Sequence, residues 1–190
     1  NQTSALPKLI DVGDYLSIYR ADKIAREFGF QFIMKGNGDE YLRAADFAKK
    51  EIQMVIPLNF PDAYDVTNPY DAMNVSLSEM KHWEMAPFNA AILDQNGISF
   101  TFTADGLEKP DQFLPNWRKA IEAGLPKEKA LAALTTNVAK LFLLNDIDGT
   151  IQKGKPANFF ISSAPIYDKE AVIYEQWVNG NQRVFKNRSI

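Results

Sequence analysis

The stretch Ile98-Ser-Phe-Thr-Phe-Thr-Ala-Asp-Gly-Leu107 predicts a buried β-strand that ends on a carboxylate. Its aromatic and β-branched residues favour an extended backbone, and Gly106 indicates the loop that follows. In proteins built from parallel strands and helices, functional side chains lie at the carboxyl ends of the strands. Asp105 is therefore the leading candidate for a catalytic or metal-binding residue.

The residues before this strand alternate between short apolar runs and helical patterns. We expect strands at 8–12, 30–34 and 52–56, and helices at 15–28, 39–48 (with Asp39 as its N-cap) and 77–93. A polar loop is expected at 59–75. Strands separated by helices of this length predict right-handed βαβ units and a parallel sheet.

The residues after the strand have a different character. Helices are expected at 115–123, at 127–134, and from a cap at Thr135 or Thr136 to residue 144. Three further strands are expected at 158–162, 172–178 and 182–185. Asn179-Gly180 between the last two strands is typical of a type I′ β-hairpin turn. The tail is therefore expected to form a small antiparallel element, separate from the parallel sheet.

The composition limits the class of protein. The 190 residues can form one domain, or one domain with a small appendage, and a hydrophobic content of 46% is enough for a core. A net charge of −3 with scattered Lys and Arg argues against a nucleic-acid partner. No apolar run reaches the 18 or so residues of a membrane span. The absence of cysteine excludes disulfides and thiol chemistry, but leaves open whether the protein is cytoplasmic or exported to a compartment such as the periplasm.

Four βα units are half of a closed barrel, which needs eight strands and about 250 residues. An open four-stranded sheet would leave two unpaired edges. A small doubly wound sheet that stands alone is the alternative, but Gly36-Asn-Gly38 lacks the G-x-G-x-x-G spacing of a phosphate-binding loop. Because the chain starts with Asn1 rather than Met, we expect its beginning to be a processing or proteolysis boundary.

Three segments near the C-terminus carry a specific signature. They are ALAALTTNVAKL (130–141), DGTIQKGKPANFFI (148–161) and EQWVNG (175–180). Their order and spacing resemble the C-terminal signature of the amidohydrolase superfamily, and in particular the imidazolonepropionase-like metal-dependent amidohydrolases. Two positions depart from the family pattern: Val138 stands where Pro is usual, and Asn158 where Asp is usual.

The resemblance implies an α/β fold, the C-terminal half of a (β/α)8 TIM-type barrel with part of a small β-sandwich. Residues 1–145 would supply the last four βα units, and residues 146–190 the C-terminal strands of the sandwich. Enzymes of this family hydrolyse C–N bonds of amides, cyclic amides or dipeptides with one or two divalent, zinc-type metals. The metal acts as a Lewis acid that activates water, and an aspartate moves the proton.

The family's site residues carry over only in part. Asp105 matches the eighth-strand Asp, which is both a catalytic group and a metal ligand. Asp11 stands where the fifth-strand His is expected, and Lys35 lies in the segment expected to hold the sixth-strand His. His82 matches no ligand. Asp11, Asn37 and Asp105 could bind a hard cation but do not make a tetrahedral zinc site, so a chain without metal is the alternative.

Each candidate side chain has a structural interpretation beside the functional one. Asp105 could cap the loop before Phe113, and Asp11 could cap the turn at Gly13. Lys35 is a candidate substrate-binding cation, or a solvated lysine at the rim of the barrel. Asn59 is a candidate substrate-binding residue at the barrel mouth, or part of a turn made with Pro61.

Three hypotheses follow. In the first, the chain is the C-terminal portion of an amidohydrolase-like protein that hydrolyses a small amide or cyclic amide. Its partner would then be the N-terminal half of the same protein or a second copy, and the segment alone would be inactive. In the second, it is a degenerate, non-catalytic domain with a binding or scaffolding role. In the third, it is an independent α/β binding domain, which the exposed sheet edges make the weakest of the three.

Overall fold

The computed structural model of the chain describes residues 6–186, and two sheets lie within that range. The first sheet is parallel and its strands are neighbours in sequence order: β1 (Lys8–Asp11), β2 (Phe32–Lys35), β3 (Gln53–Pro57) and β4 (Phe100–Thr103). The second is antiparallel and contains β5 (Phe159–Ser162), β6 (Ile173–Val178) and β7 (Asn181–Val184). The predicted parallel sheet and the predicted antiparallel tail are confirmed.

Eight α-helices lie within the same range. They are α1 (Tyr15–Glu27), α2 (Ala44–Ala48), α3 (Pro69–Ala72), α4 (Leu77–Met85), α5 (Asn89–Gln95), α6 (Phe113–Glu122), α7 (Lys127–Leu134) and α8 (Thr136–Leu141). Short 3-10 turns precede α2, α5 and α6. None of the helices in the described residues is long and apolar enough to cross a membrane.

The single helix expected at 77–93 is wrong. The chain instead forms α4, a 3-10 turn at Ala86–Phe88 and then α5. Pro87 lacks the backbone N–H that a continuous helix needs, and its ring clashes with the preceding turn. The expected loop at 59–75 also contains α3, where Asn68 caps the helix by accepting a hydrogen bond from the Tyr70 backbone N–H at 3.0 Å.

Asp39 and Thr135 stand at the predicted N-cap positions, but neither side chain makes the expected capping hydrogen bond. Asp39 makes no capping bond to the turn that follows it, and its Oδ2 atom accepts the backbone N–H of Tyr15 instead. The Thr135 hydroxyl donates to the carbonyl of Leu131 at 2.8 Å, and it makes no capping hydrogen bond with α8. Both side chains found partners outside the helix that they precede, which sequence position alone does not reveal.

The two faces of the parallel sheet have different environments, since side chains alternate between them along each strand. One face packs against the helices and forms the main core, with Met34, Met54, Ile56, Phe100 and Phe102 as its members from the strands. On the other face, Ile33 and Val55 pack against Leu141 of α8. Asp11 and Lys35 project from this second face, because the strand register pairs Lys35 with Asp11 on one side and Val55 on the other.

The antiparallel sheet closes with the predicted hairpin. Asn179 and Gly180 have φ values of 50° and 79°, which is the positive-φ pair that a type I′ turn requires. The rings of Phe159 and Trp177 stack across β5 and β6 with centroids 5.8 Å apart. The segment between these strands reaches the main core through Ile166, which is only 8% exposed.

Candidate functional site at the carboxyl edge of the parallel sheet

Three charged side chains from the ends of three strands meet at the carboxyl edge of the sheet. The Lys35 Nζ atom lies 2.8 Å from Asp11 Oδ2 and also pairs with Asp105 Oδ2. Asp11 ends β1, Lys35 ends β2, and Asp105 follows β4, so the second pair spans the intervening strand β3. We call Asp11, Lys35 and Asp105 the ion-paired cluster.

The ammonium of this cluster is sheltered and the carboxylates are open to solvent. The side chain of Lys35 is 19% exposed, against 68% for Asp11 and 62% for Asp105. Hydrogen bonds from Lys35 to Asp105 and Asp11 raise the pKa of the lysine above its usual value. Lys35 therefore carries its proton at neutral pH, and it does not act as a general base or an amine nucleophile there.

Neither Asp11 nor Asp105 has the capping role that was the structural alternative for it. Asp14 caps α1, since its carboxylate accepts the Ser17 backbone N–H at 2.6 Å, while Asp11 pairs with Lys35. Asp105 likewise directs its carboxylate to Lys35, and its backbone N–H is held by the Thr103 hydroxyl at 3.1 Å.

The loop that follows Lys35 is built around a buried carboxylate. Glu40 has no exposed surface, and its Oε1 atom accepts the backbone N–H groups of Asn37 at 2.8 Å and Gly38 at 3.0 Å. Its Oε2 atom accepts the Asn89 side-chain amide at 2.6 Å. Burial raises the pKa of Glu40. These bonds fix the backbone at the end of β2, from which Lys35 projects.

Sequence reasoning missed Glu40. The available signal was a glutamate four residues after Gly36, in a segment with an otherwise apolar inward stripe. A buried acid has to find donors, and the nearest ones are the backbone N–H groups of the glycine-rich loop before it.

Asn37 does not join the ion-paired cluster. Its Nδ2 donates to the Gly13 carbonyl at 2.7 Å, and its Oδ1 accepts the backbone N–H of Asp39 at 3.2 Å. The Asn37 amide therefore connects the loop after β2 to the loop after β1 by a hydrogen bond. The Asn37 amide therefore does not contribute to the hard-cation site suggested for Asp11, Asn37 and Asp105.

Asn59 lies in a polar cleft of about 300 Å³ that follows the carboxyl ends of β3 and β4 and includes Gly106, the residue after Asp105. Its side chain packs on Gly106, where a β-carbon would lie only 2.5 Å from Asn59 Nδ2. The lining includes amide, carboxylate, ammonium and aromatic groups, from Asp62, Glu108, Gln112, Lys119 and Phe60. Asn116 also lines the cleft, and its side-chain amide donates to the Leu58 carbonyl at 2.6 Å, which ties α6 to the residue after β3.

His82 lies on α4, outside the ion-paired cluster. Its Nδ1 atom is 3.3 Å from the Tyr41 hydroxyl, and the two rings stack with centroids 6.1 Å apart. These contacts account for the histidine as a half-buried packing residue.

The divalent metal implied by the family resemblance can be tested against the donors present. Among residues 6–186, no group of three or more His, Cys, Asp or Glu side chains is placed to hold a metal ion. A zinc site needs three or four nitrogen, sulfur or oxygen donors around a single point. Here the two strand-end carboxylates flank an ammonium. The donor set of the ion-paired cluster does not fit a divalent metal.

No protein-family model matches the sequence, and none of the curated proteins compared with it is significantly similar. Several solved structures share its fold. An amidohydrolase from Thermotoga maritima MSB8 has a TM-score of 0.78 at 24% identity, over 98% of this chain and 45% of that one. A second amidohydrolase has a TM-score of 0.65 at 16% identity, over 95% of this chain and 45% of that one. A prolidase in complex with N-methylphosphonate-L-proline has a TM-score of 0.64 at 17% identity, over 93% and 44%.

The chain thus spans less than half the length of each of these structures. At such identities the likeness establishes the fold, and the imidazolonepropionase-like subfamily stays a prediction. The chain is a mixed α/β unit with a parallel and an antiparallel sheet, it has amidohydrolases as its structural neighbours, and its extent is consistent with a partial barrel.

Proposed function

We propose that this chain forms part of the mouth of an amidohydrolase-like barrel that binds a small polar molecule without hydrolysing it. The observation that carries the proposal is the pairing of Asp105 with Lys35. Asp105 is the acid expected to accept a proton during hydrolysis. In this structure the Asp105 carboxylate is engaged by the Lys35 ammonium, so a water molecule would have to displace that ammonium from the paired oxygen before Asp105 could act on it there.

The groups that line the cleft at Asn59 indicate which class of small molecule could bind there. Its lining combines amide donors and acceptors with charges of both signs, which suits a small molecule that carries amide and charged groups. A dipeptide or a cyclic amide has this chemistry. The structurally similar prolidase, solved with a proline-containing phosphonate, makes an Xaa-Pro dipeptide a reasonable probe.

Hydrolysis of amide C–N bonds by a longer protein that contains this chain is the second candidate function. The position of Asp105 just after the end of a parallel strand favours it, because that is where catalytic groups lie in such folds. The remaining catalytic groups would then come from an N-terminal half or a second copy. The sheet supports such a partner: within the described residues, β1 and β4 each pair with one strand only.

The two functions can be separated with the full-length protein. Metal content is measured by plasma mass spectrometry, binding of Ala-Pro and hydantoin by calorimetry, and turnover of both by release of product. The variants are Asn59→Ala in the cleft and Asp105→Ala in the ion-paired cluster. Asp94→Ala, in α5 and in a separate cleft near the start of β4, is the matched control.

The binding function predicts no stoichiometric metal, no turnover, and affinity for at least one probe that Asn59→Ala weakens and Asp94→Ala leaves unchanged. Failure of both probes to bind would overturn it. Turnover that Asp105→Ala abolishes would replace it with the hydrolytic function.

A further inference from the structure

The ion-paired cluster places one positive charge between two strand-end acids. We propose that the Lys35 ammonium is a built-in cation that takes the charge-balancing place of a divalent metal at this edge of the sheet. The inference rests on the proposed non-hydrolytic mouth, but it concerns the cation and not the ligand. It can therefore fail or succeed independently of ligand binding.

The geometry of the cluster is that of a cross-link. Lys35 reaches Asp11 on its neighbouring strand and Asp105 beyond β4, so one ammonium joins the ends of three strands. A metal ion bound by strand-end ligands joins strands in the same way. An ammonium has three N–H donors, which is enough to hold two carboxylates at once.

The lysine is prepositioned for this role. Its side chain is mostly shielded by the sheet, while both acids reach solvent. The backbone directly after it is fixed by Glu40, which accepts hydrogen bonds from Asn37 and Gly38. A cation that is already anchored loses little freedom when it pairs, and this favours a persistent cluster over a surface ion pair between two mobile side chains.

The same arrangement explains why an intact cluster would reject a metal. A divalent cation would have to displace the Lys35 ammonium or bind next to it. Two positive charges bound to the same pair of carboxylates repel each other. If the ammonium is removed, Asp11 and Asp105 are left as two unneutralised carboxylates at one edge. Carboxylate oxygens are the ligands that hard divalent cations prefer, so the vacated position should attract one.

The test uses the 190-residue chain and Mn²⁺, whose free ion is counted by electron paramagnetic resonance. Lys35→Met removes the charge but keeps the length of the side chain. Lys35→Met with Asp105→Asn also removes one acid. Lys49→Met is the matched control, since Lys49 is 77% exposed and pairs only at the surface with Asp46. Melting temperatures are measured with EDTA and with millimolar Mn²⁺.

We expect the unmodified chain to bind no Mn²⁺ and to melt at the same temperature in both buffers. Lys35→Met should melt about 2–4 °C lower in EDTA, the shift typical of a small loss of stability in a chain of this size. Mn²⁺ should restore that loss. The double variant should melt higher than Lys35→Met in EDTA and should not respond to Mn²⁺, and Lys49→Met should behave as the unmodified chain.

Stoichiometric Mn²⁺ binding by the unmodified chain would overturn the inference, and this measurement does not depend on any variant folding. Equal melting of Lys35→Met and the unmodified chain in EDTA would also overturn it. Loss of ligand binding by the full-length protein, with these results intact, would count against the proposed function alone.

Discussion

Glu40 fills the space beside Gly36: a β-carbon on residue 36 would lie 1.8 Å from Glu40 Oε1. Gly36 has no positive φ, so the glycine is needed there for room and not for backbone conformation. Glycine and carboxylate therefore form one unit, in which the loop after β2 wraps around a buried acid. That unit fixes the strand end from which Lys35 reaches the two aspartates.

Gly36→Ala should be strongly destabilising. The added methyl group overlaps Glu40, which is fully buried and cannot move without breaking its hydrogen bonds, so we expect a loss of about 2–3 kcal/mol in the free energy of unfolding. Gly13→Ala is the control, because a β-carbon there meets nothing within 4 Å, and it should change stability by less than about 0.5 kcal/mol. Urea unfolding of both variants measures the difference. Equal stabilities would contradict the close packing of Gly36 on Glu40.

Glu40→Gln should also destabilise the chain. The new amide group would place an N–H donor against the Asn89 side-chain amide, whose orientation is set because its Oδ1 accepts the Tyr41 backbone N–H at 2.8 Å. A buried donor without an acceptor costs about 1–3 kcal/mol.

A second substitution tests the reason for this loss. Adding Asn89→Asp to Glu40→Gln exchanges the amide and the carboxylate, so that a donor again faces an acceptor and the Tyr41 N–H keeps its partner. We expect the double variant to recover most of the stability lost in Glu40→Gln, as measured by urea unfolding. A double variant less stable than either single one would show that the pair is not coupled in this way.

Asp22→Asn should lower stability at neutral pH and not in acid. The Asp22 side chain is 10% exposed and pairs with Arg26 at 2.9 Å and Lys50 at 2.7 Å. Burial opposes ionisation, but the bonds from Lys50 and Arg26 hold the pKa of Asp22 below its usual value. Its contribution is therefore fully present above the unfolded pKa of about 3.9 and is lost as the pH falls through the folded pKa.

We expect Asp22→Asn to lower the free energy of unfolding by about 1–2 kcal/mol at pH 7, a value that allows for solvent screening of the two cations. At low pH the stability of the variant should converge with that of the unmodified chain. Glu122→Gln is the control, since Glu122 pairs with Lys169 between two largely exposed side chains and should cost less than about 1 kcal/mol. Denaturant midpoints across the acid range measure both. A loss that persists unchanged in acid would exclude the ion pairs as its cause.

Arg118 joins α6 to the segment between β5 and β6. Its Nε and Nη2 atoms donate to the Ile166 carbonyl at 3.1 and 2.8 Å, and Ile166 packs in the main core. Arg118→Met should cost about 1–3 kcal/mol, because the buried carbonyl loses both donors. Arg118→Lys should cost less, since one donor remains. Hydrogen exchange should rise first in β5 and β6, and unchanged exchange there would contradict a role for Arg118 in holding this segment.

Local patterns in the sequence were enough for most of the secondary structure. The alternation of short apolar runs with helical stripes predicted β1 to β4 and the parallel sheet, and Asn179-Gly180 predicted the hairpin between β6 and β7. These features depend on neighbouring residues, so sequence reveals them. The predictions failed where a side chain bonded to a group other than the helix that follows it, as Asp39 did with Tyr15 and Thr135 did with Leu131. They also failed where Pro87 interrupted an amphipathic run.

The sequence by itself determined that Asp11, Lys35, Asn59 and Asp105 stand at or just beyond the ends of strands, because strand ends follow from local composition. Only the tertiary structure decided which of these side chains contact one another. The ammonium of Lys35 meets Asp105 across β3, and Glu40 is buried beneath the loop that follows the lysine. Such contacts depend on strand order, register and burial, which join residues dozens of positions apart. Asp105 is consequently an acid held by a lysine, and its chemistry is set by that pairing.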